Sequence, residues 1–358
     1  MSFITSIINY LFYDKNLDQV LSETVILRFK NIIYSLLVES ASVENRDEFY
    51  NLILAKAIEA IPNAHKGSIL HKEKSSLMVF KAAYEHDINV LKSVEIYIED
   101  TFLYIRTDGK LDKTTIIDNF KTVNERNLEK SKQETLDNMI IEMNTIISTP
   151  IWVDGNLWGM INIDSYNKNA FDQDAIDSLE IFAIEAAKAI KLYDALEKNN
   201  YLLRYDVLTG IHNRAYFNEI LEDLFHDTQN KNSGVLVSID LDKFKRINDL
   251  YGHLEGDKYL VYFSKVIKEH LKDTDVFSRY GGDEFIILSA KSNLNEMAIL
   301  LEDIVQYFHE TPYIINGSEE IIEFSYGIAV YMKEGMTSKS LLKLADQRMY
   351  AQKNRKSK

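Results

Sequence analysis

The 358 residues predict two domains of mixed helix and sheet, α+β first and α/β second, joined by one helix. The length exceeds what a single core of ordinary size organises. Two hairpin patterns lie far apart. One runs Ile146–Val153, Asp154-Gly155, Leu157–Asp164, and the other turns at Gly281-Gly282. Between them Ile176, Leu179, Ala183, Ala186, Ile190 and Tyr193 recur at spacings of three and four, the stripe of a long helix.

The first domain is expected over 23–195, after an N-terminal helix over 1–22. Helical periodicity covers Val25–Leu37 and Phe49–Ile61. Gly67–Leu70 and Leu77–Tyr84 read as antiparallel strands, and a polar, mostly helical stretch is expected from there to about Asn144. The Asp154-Gly155 hairpin follows, with Trp152 and Trp158 expected in a core or an interface. A connecting helix spans 172–204. Its stripe suits packing in the first domain and then a parallel dimer stalk.

The second domain is expected over 205–358. Val235-Leu236-Val237-Ser238-Ile239 is a buried-strand pattern ending in Asp240 and Asp242, which share one face because strand side chains alternate. Asn248, Asp249, Gly252, His253, Gly256 and Asp257 follow. Near residue 280, Arg279-Tyr280-Gly281-Gly282-Asp283-Glu284-Phe285 reads as a tight turn presenting two carboxylates at a sheet rim. Its glycines permit close backbone approach by a ligand. Clustered carboxylates beside a polar helix suit a divalent cation and a phosphorylated substrate, since Mg²⁺ takes hard oxygen ligands. Asp242 reads equally as a strand-end acid, Asp249 as a capping acid, Arg279 as a brace of the hairpin and His253 as a turn residue.

Several separated motifs then agree with one family. Asp206-Val207-Leu208-Thr209-Gly210-Ile211-His212-Asn213-Arg214 resembles DxLTGLxNR, and Asp240 to Asp249 resembles DxDxFKxxND. Gly252 to Asp257 resembles GHxxGD, Arg279 to Phe285 reads RYGGDEF, and Ser325–Ala329 with Leu344–Lys353 match the closing strand and helix. The segment resembles a GGDEF domain of the diguanylate cyclase family, with a palm-like nucleotide-cyclase fold.

The resemblance implies condensation of two GTP into cyclic di-GMP with loss of pyrophosphate, in a homodimer whose subunits each hold one GTP. It implies Mg²⁺, with Mn²⁺ as the alternative, on Asp240, Asp283, Glu284 and the backbone carbonyl of Leu241. Glu284 is a further ligand or the acceptor of the hydroxyl proton. Lys245, Lys353 and backbone N–H groups near Phe244 would meet phosphate beside Gly281 and Gly282. Asn248 and Asp257 would read guanine.

Two departures stand out. The family's RxxD feedback motif reads Lys272-Asp273-Thr274-Asp275, and lysine lacks the planar fork of arginine. Weak or absent product inhibition is therefore expected at Lys272 and Asp275. The Gly-Arg-Asn segment that commonly follows Lys353 is replaced by Asn354-Arg355-Lys356, with Arg355 as a candidate stand-in.

The stretch from Ser148 to Ile163, then Phe171-Asp172-Gln173-Asp174 and a long helix, resembles a GAF sensory domain, an antiparallel sheet flanked by helices. No NKFDE-type pattern is present. A small-molecule ligand and a ligand-free dimerisation role stand as equal expectations. A catalytically silent module holding GTP or cyclic di-GMP is the alternative to the enzyme.

Composition bounds these readings. The absence of cysteine fits a reducing, cytoplasmic setting and excludes disulfides, thiolate metal sites and thioether-linked chromophores. A net charge of −14 argues against nucleic-acid binding. The apolar run Phe3–Tyr13 is too short to span a bilayer and lacks the flanks of a signal peptide, so it reads as an amphipathic helix.

Overall fold

The computed structural model describes residues 45–118, 142–226, 234–331 and 337–356, with isolated residues between 31 and 43. The helices expected over 1–22 and over most of Val25–Leu37 lie outside the described residues. The chain divides into two compact units, Met1–Ala195 and Leu196–Lys358.

In the first unit, the elements are α1 (Arg46–Ala60), β1 (Lys66–Lys72), β2 (Leu77–Tyr84), α2 (Ile88–Lys92), β3 (Ile96–Tyr97), α3 (Phe102–Arg106), β4 (Thr115–Asp118), β5 (Thr145–Val153), β6 (Asn156–Ser165) and most of α4 (Gln173–Arg204), whose residues after Ala195 belong to the second unit. The antiparallel sheet runs β3-β2-β1-β6-β5-β4. Asn45 caps α1 by accepting the Glu48 N–H at 3.0 Å, satisfying a donor the helix cannot. The β5–β6 turn places Asp154 at φ 50° and Gly155 at φ 76°, the left-handed pair that matches hairpin twist.

One sheet face buries Ile69, Ala82, Ile147, Ile161 and Ile163 against Phe49 and Ile53 of α1 and Leu179, Phe182, Ala186 and Ile190 of α4. The expected stripe on α4 therefore packs in this core. Trp158 packs at the core margin, whereas Trp152 is exposed and donates its indole N–H to the Leu111 carbonyl at 3.2 Å.

The opposite face carries a polar row across the strands. Thr115, Ser148, Asn162 and Ser68 lie in register, with Ser148 Oγ donating to Asn162 Oδ1 at 2.6 Å. After Tyr84, residues 85–118 hold the short helices α2 and α3 together with two strands that were not expected, β3 and β4, and Ile116 pairs with Ile147 of β5. Cross-strand pairing with β2 and β5, at separations of 18 to 33 residues, decides these short segments, and a local periodicity window does not register it. The rest of the expected helical stretch, 119–141, lies outside the described residues.

The second unit contains β7 (His212–Asn213), α5 (Arg214–His226), β8 (Val235–Leu241), α6 (Phe244–Tyr251), α7 (His253–His270), β9 (Val276–Gly281), β10 (Glu284–Ser289), α8 (Leu294–Glu310), β11 (Tyr313–Ile315), β12 (Ser318–Glu320), β13 (Phe324–Val330) and α9 (Ser338–Lys356). Its main sheet runs β13-β8-β10-β9-β7, antiparallel except for β7 against β9. β8 lies between β13 and β10 and is covered on both faces, which is why its sequence is apolar without alternation. One face packs Ile239, Phe285, Ile287 and Phe324 against Phe263, Leu301 and Phe308 of α7 and α8. The other packs Leu236, Ile286, Leu288 and Ala329 against Phe217 of α5 and Leu341 and Ala345 of α9.

α9 lies hard against β13. A Cβ on Gly327 would sit 2.2 Å from the Ala345 carbonyl oxygen and 2.2 Å from the Met349 nitrogen, both backbone. Gly327→Ala is expected to lower unfolding stability by about 1–3 kcal/mol through overpacking, read from the midpoint of urea denaturation.

Candidate metal–nucleotide site

The end of β8 and the start of β10 share one rim of the sheet. Their register sets Glu284 opposite Asp240. The Leu241 N–H donates to the Asp283 carbonyl at 3.1 Å and ties the β9–β10 turn to the end of β8. Gly282 turns at φ 51°. A Cβ at Gly281 or Gly282 would meet nothing within 4 Å, so open space lies over the turn. Arg279 braces it, donating from Nε to the Gly282 carbonyl at 2.9 Å and from Nη1 to Asp206 Oδ1 at 3.2 Å. Asp206 also accepts from the Thr209 N–H at 2.9 Å and hydroxyl at 2.7 Å. Burial works against its charge, but these donors and Arg279 together hold its carboxyl below the ordinary aspartate range.

Lys353, near the end of α9, reaches back and donates to Asp240 Oδ1. Burial, followed by the charges of Asp283 and Asp242, pushes the Asp240 pKa up, and Lys353 opposes the shift. Burial and the charges of Asp240, Asp283 and Asp346 likewise raise Glu284, against Arg214. Burial disfavours the Lys353 ammonium, yet its bond to Asp240 outweighs that and raises its pKa. The structure thus brings Asp240, Asp283, Glu284 and Lys353 together as crowded carboxylates with an ammonium among them.

This donor set fits a hard divalent cation. The carboxylates are short of positive charge, and an ammonium already stands against one of them. Among the described residues no group of three His, Cys, Asp or Glu is preassembled around a point. Carboxylate oxygens suit Mg²⁺, which keeps waters and takes substrate phosphate oxygens to complete its shell.

Asp242 is differently employed. It accepts from the Ser325 hydroxyl at 2.8 Å and from Lys356 Nζ at 3.1 Å, and Lys356 also donates to the Phe324 carbonyl at 2.6 Å. Lys356, which sequence reasoning missed, anchors the last turn of α9 to β8 and β13. Arg355 is exposed and shows no such bond. The available signal was spacing, since lysines at i and i+3 on one helix face answer aspartates at i and i+2 on a strand.

A second group lies on α6 and α7. Lys243 adopts φ 59° at the turn out of β8, pairs with Glu323 at 2.8 Å and releases the chain into α6. The first-turn N–H groups of α6, at Phe244 and Lys245, have no intrahelical acceptor. Asn248 is half-buried, whereas Lys245 and Asp257 are exposed. His253 begins α7 just after the Gly252 turn, at φ 84°. The feedback positions form their own turn. The Lys272 N–H donates to Asp275 Oδ2 at 3.1 Å, and Lys272 Nζ donates to Ser292 Oγ at 3.2 Å.

A five-stranded mixed sheet covered by helices, with acids at one rim and a lysine on the last helix, defines a palm-like domain of the nucleotide-cyclase class. Residues 203–358 match the family described as diguanylate cyclase, GGDEF domain, and residues 77–190 match the GAF domain. The chain is a GAF–GGDEF protein of the diguanylate cyclase family.

It is 37% identical over 145 residues to the cyclic di-GMP phosphodiesterase NbdA of Pseudomonas aeruginosa, covering 40% of this chain and 18% of NbdA. It is 26% identical over 356 residues to the uncharacterized protein YhcK of Bacillus subtilis, covering 92% of this chain and 94% of YhcK. It is 31% identical over 223 residues to the diguanylate cyclase DgcP of Escherichia coli, covering 60% of this chain and 65% of DgcP.

Because the folded-state pKa of Asp206 is depressed, its contribution to stability is present above its unfolded value of about 4 and is lost as pH falls through the folded value. Asp206→Asn is expected to be less stable than wild type at pH 7, with the gap closing below pH ~4. Thermal melts across that range measure it.

Proposed function

We propose that this protein condenses two molecules of GTP into cyclic di-GMP and two of pyrophosphate. The observation that carries the reading is the rim where Glu284 stands in register with Asp240, Lys353 bonds Asp240, and the Gly281-Gly282 turn leaves open space. The GGDEF match and the naming of DgcP as a diguanylate cyclase support a role in cyclic di-GMP signalling.

In the reaction, the 3′-hydroxyl oxygen of each GTP attacks the α-phosphorus of the other, and the bond to pyrophosphate breaks. Asp240, Asp283, Glu284 and the Leu241 carbonyl would hold Mg²⁺ or Mn²⁺. Such a cation, when bound, neutralises charge on the phosphate oxygens. Glu284, whose pKa is raised by burial and its acidic neighbours, would be a further ligand or the acceptor of the hydroxyl proton. Lys353 exchanges its carboxylate for phosphate, and Lys245 with the first-turn N–H groups of α6 holds the rest of the triphosphate. Asn248 and Asp257 read the base. A carboxylate accepts from guanine N1–H and the 2-amino group, which adenine does not offer.

Each subunit supplies one half-site, so a homodimer is required. The first domain regulates the encounter of the half-sites, with a small-molecule ligand or dimerisation alone as its means. The setting is cytoplasmic, and among the described residues no helix is long and apolar enough to cross a membrane. An intact acidic cluster favours the enzyme over a silent GTP-holding module.

Purified protein given GTP and Mg²⁺ is expected to form cyclic di-GMP, and Asp283→Asn to lose about a hundredfold or more in rate. GTP bound without product in wild type would instead support the silent module. Asp257→Ser is expected to reduce the preference for GTP over ATP by about tenfold or more, measured as the ratio of kcat/KM. Rates are expected to stay level as cyclic di-GMP accumulates, because Lys272 is bonded to Ser292 and lacks a planar fork.

A further inference from the structure

Gly256 occupies a position where glycine has no evident value to the fold. It lies inside α7, its backbone is helical, and it is absent from the residues with positive φ. It is buried and is neither the first nor the last residue of its helix. Glycine in a helix interior is the least favourable residue after proline, because it gives up the most backbone freedom and contributes no side chain. Alanine would serve the helix better.

What forbids alanine is one side chain. A Cβ on Gly256 would lie 2.0 Å from Asn248 Oδ1 and 3.0 Å from Asn248 Cγ. The next atom, Phe244 Cζ at 3.4 Å, is an ordinary contact. The carboxamide of Asn248 therefore rests in the notch that the missing Cβ leaves on α7, beside the exposed Asp257. The obstructed atom is the free end of a flexible side chain. An added methyl group would swing the carboxamide away without disturbing the backbone of either helix.

We infer that Gly256 is a positioning residue for nucleotide selection, because its bare Cα seats the Asn248 carboxamide between α6 and α7 at the orientation that reads the base. This deepens the proposed function and rests on its assignment of Asn248 to the guanine edge. Gly256 itself touches no substrate. It acts by leaving room for the one Asn248 rotamer that a Cβ would exclude, and it does so at a cost to helix stability.

The test is a double-mutant cycle read by equilibrium displacement of a fluorescent GTP analogue in Mg²⁺, with unlabelled GTP and ATP as competitors and thermal melting as a parallel measurement. Gly256→Ala is expected to weaken GTP binding by about tenfold, the value of one good hydrogen bond, and to narrow the preference for GTP over ATP. Its melting temperature is expected to be equal to or above that of wild type. In the Asn248→Ala background, Gly256→Ala is expected to change GTP affinity by less than about twofold, because the side chain it displaces is gone.

Wild-type affinity and preference in Gly256→Ala would overturn the inference. So would an undiminished effect in the Asn248→Ala background, or a lowered melting temperature, either of which would make Gly256 a packing glycine. Unchanged base preference in Asn248→Ala alone would instead remove the base-reading assignment on which the inference rests.

Discussion

One ion pair ties the second domain's fold to its chemistry. Lys353 projects from the last helix of the chain onto Asp240, at the end of the central strand β8. Asp240 is crowded by Asp283 and Asp242, and Glu284 stands opposite it in the sheet. Carboxylates gathered in partial burial repel one another and resist ionisation. The ammonium relieves that repulsion and holds the C-terminal helix to the rim. Lys356 extends the attachment through Asp242 and the Phe324 carbonyl. Under the proposed function, a cation that took Asp240 would free that ammonium for phosphate.

The rim is accurate because rigid elements deliver it. β8 is hydrogen-bonded on both edges and covered on both faces, so Asp240 has little freedom in where it emerges. The β9–β10 turn would be the looser partner. It is sewn down by the Leu241 N–H on the Asp283 carbonyl and by Arg279, which joins the turn to the Asp206 loop. α9 could approach this rim only because Gly327 removes the side chain that would hold it off. Glycines thus do separate work in one domain. Gly282 supplies a left-handed turn, Gly327 supplies close packing, and Gly256 supplies room for another residue's side chain.

Much of this was legible beforehand for physical reasons. The β5–β6 hairpin announced itself through Asp154-Gly155, because few residues tolerate positive φ in succession. β8 read as a buried strand because it is uniformly apolar. The bracing role expected for Arg279 follows from its place beside a turn whose carbonyls need donors. The segments β3 and β4 were hidden, because each is too short to show a period and exists only through a partner strand. Asp242 was ambiguous because a strand-end acid looks the same whether it binds a metal or a lysine. Only the return of α9 showed that Ser325 and Lys356 occupy it.

By itself, the sequence determined the longer elements and their order, the acidic and basic residues proposed to hold a cation and triphosphate, and membership in a family with several ordered motifs. These are local properties, set by backbone geometry, side-chain chemistry and spacing along the chain. Tertiary structure alone decided which charge meets which. Lys353 is 113 positions from Asp240 and Lys356 is 114 from Asp242, distances over which no local pattern carries information. It also decided that Gly256 faces Asn248, because a notch on one helix acquires meaning only when a second helix lies across it.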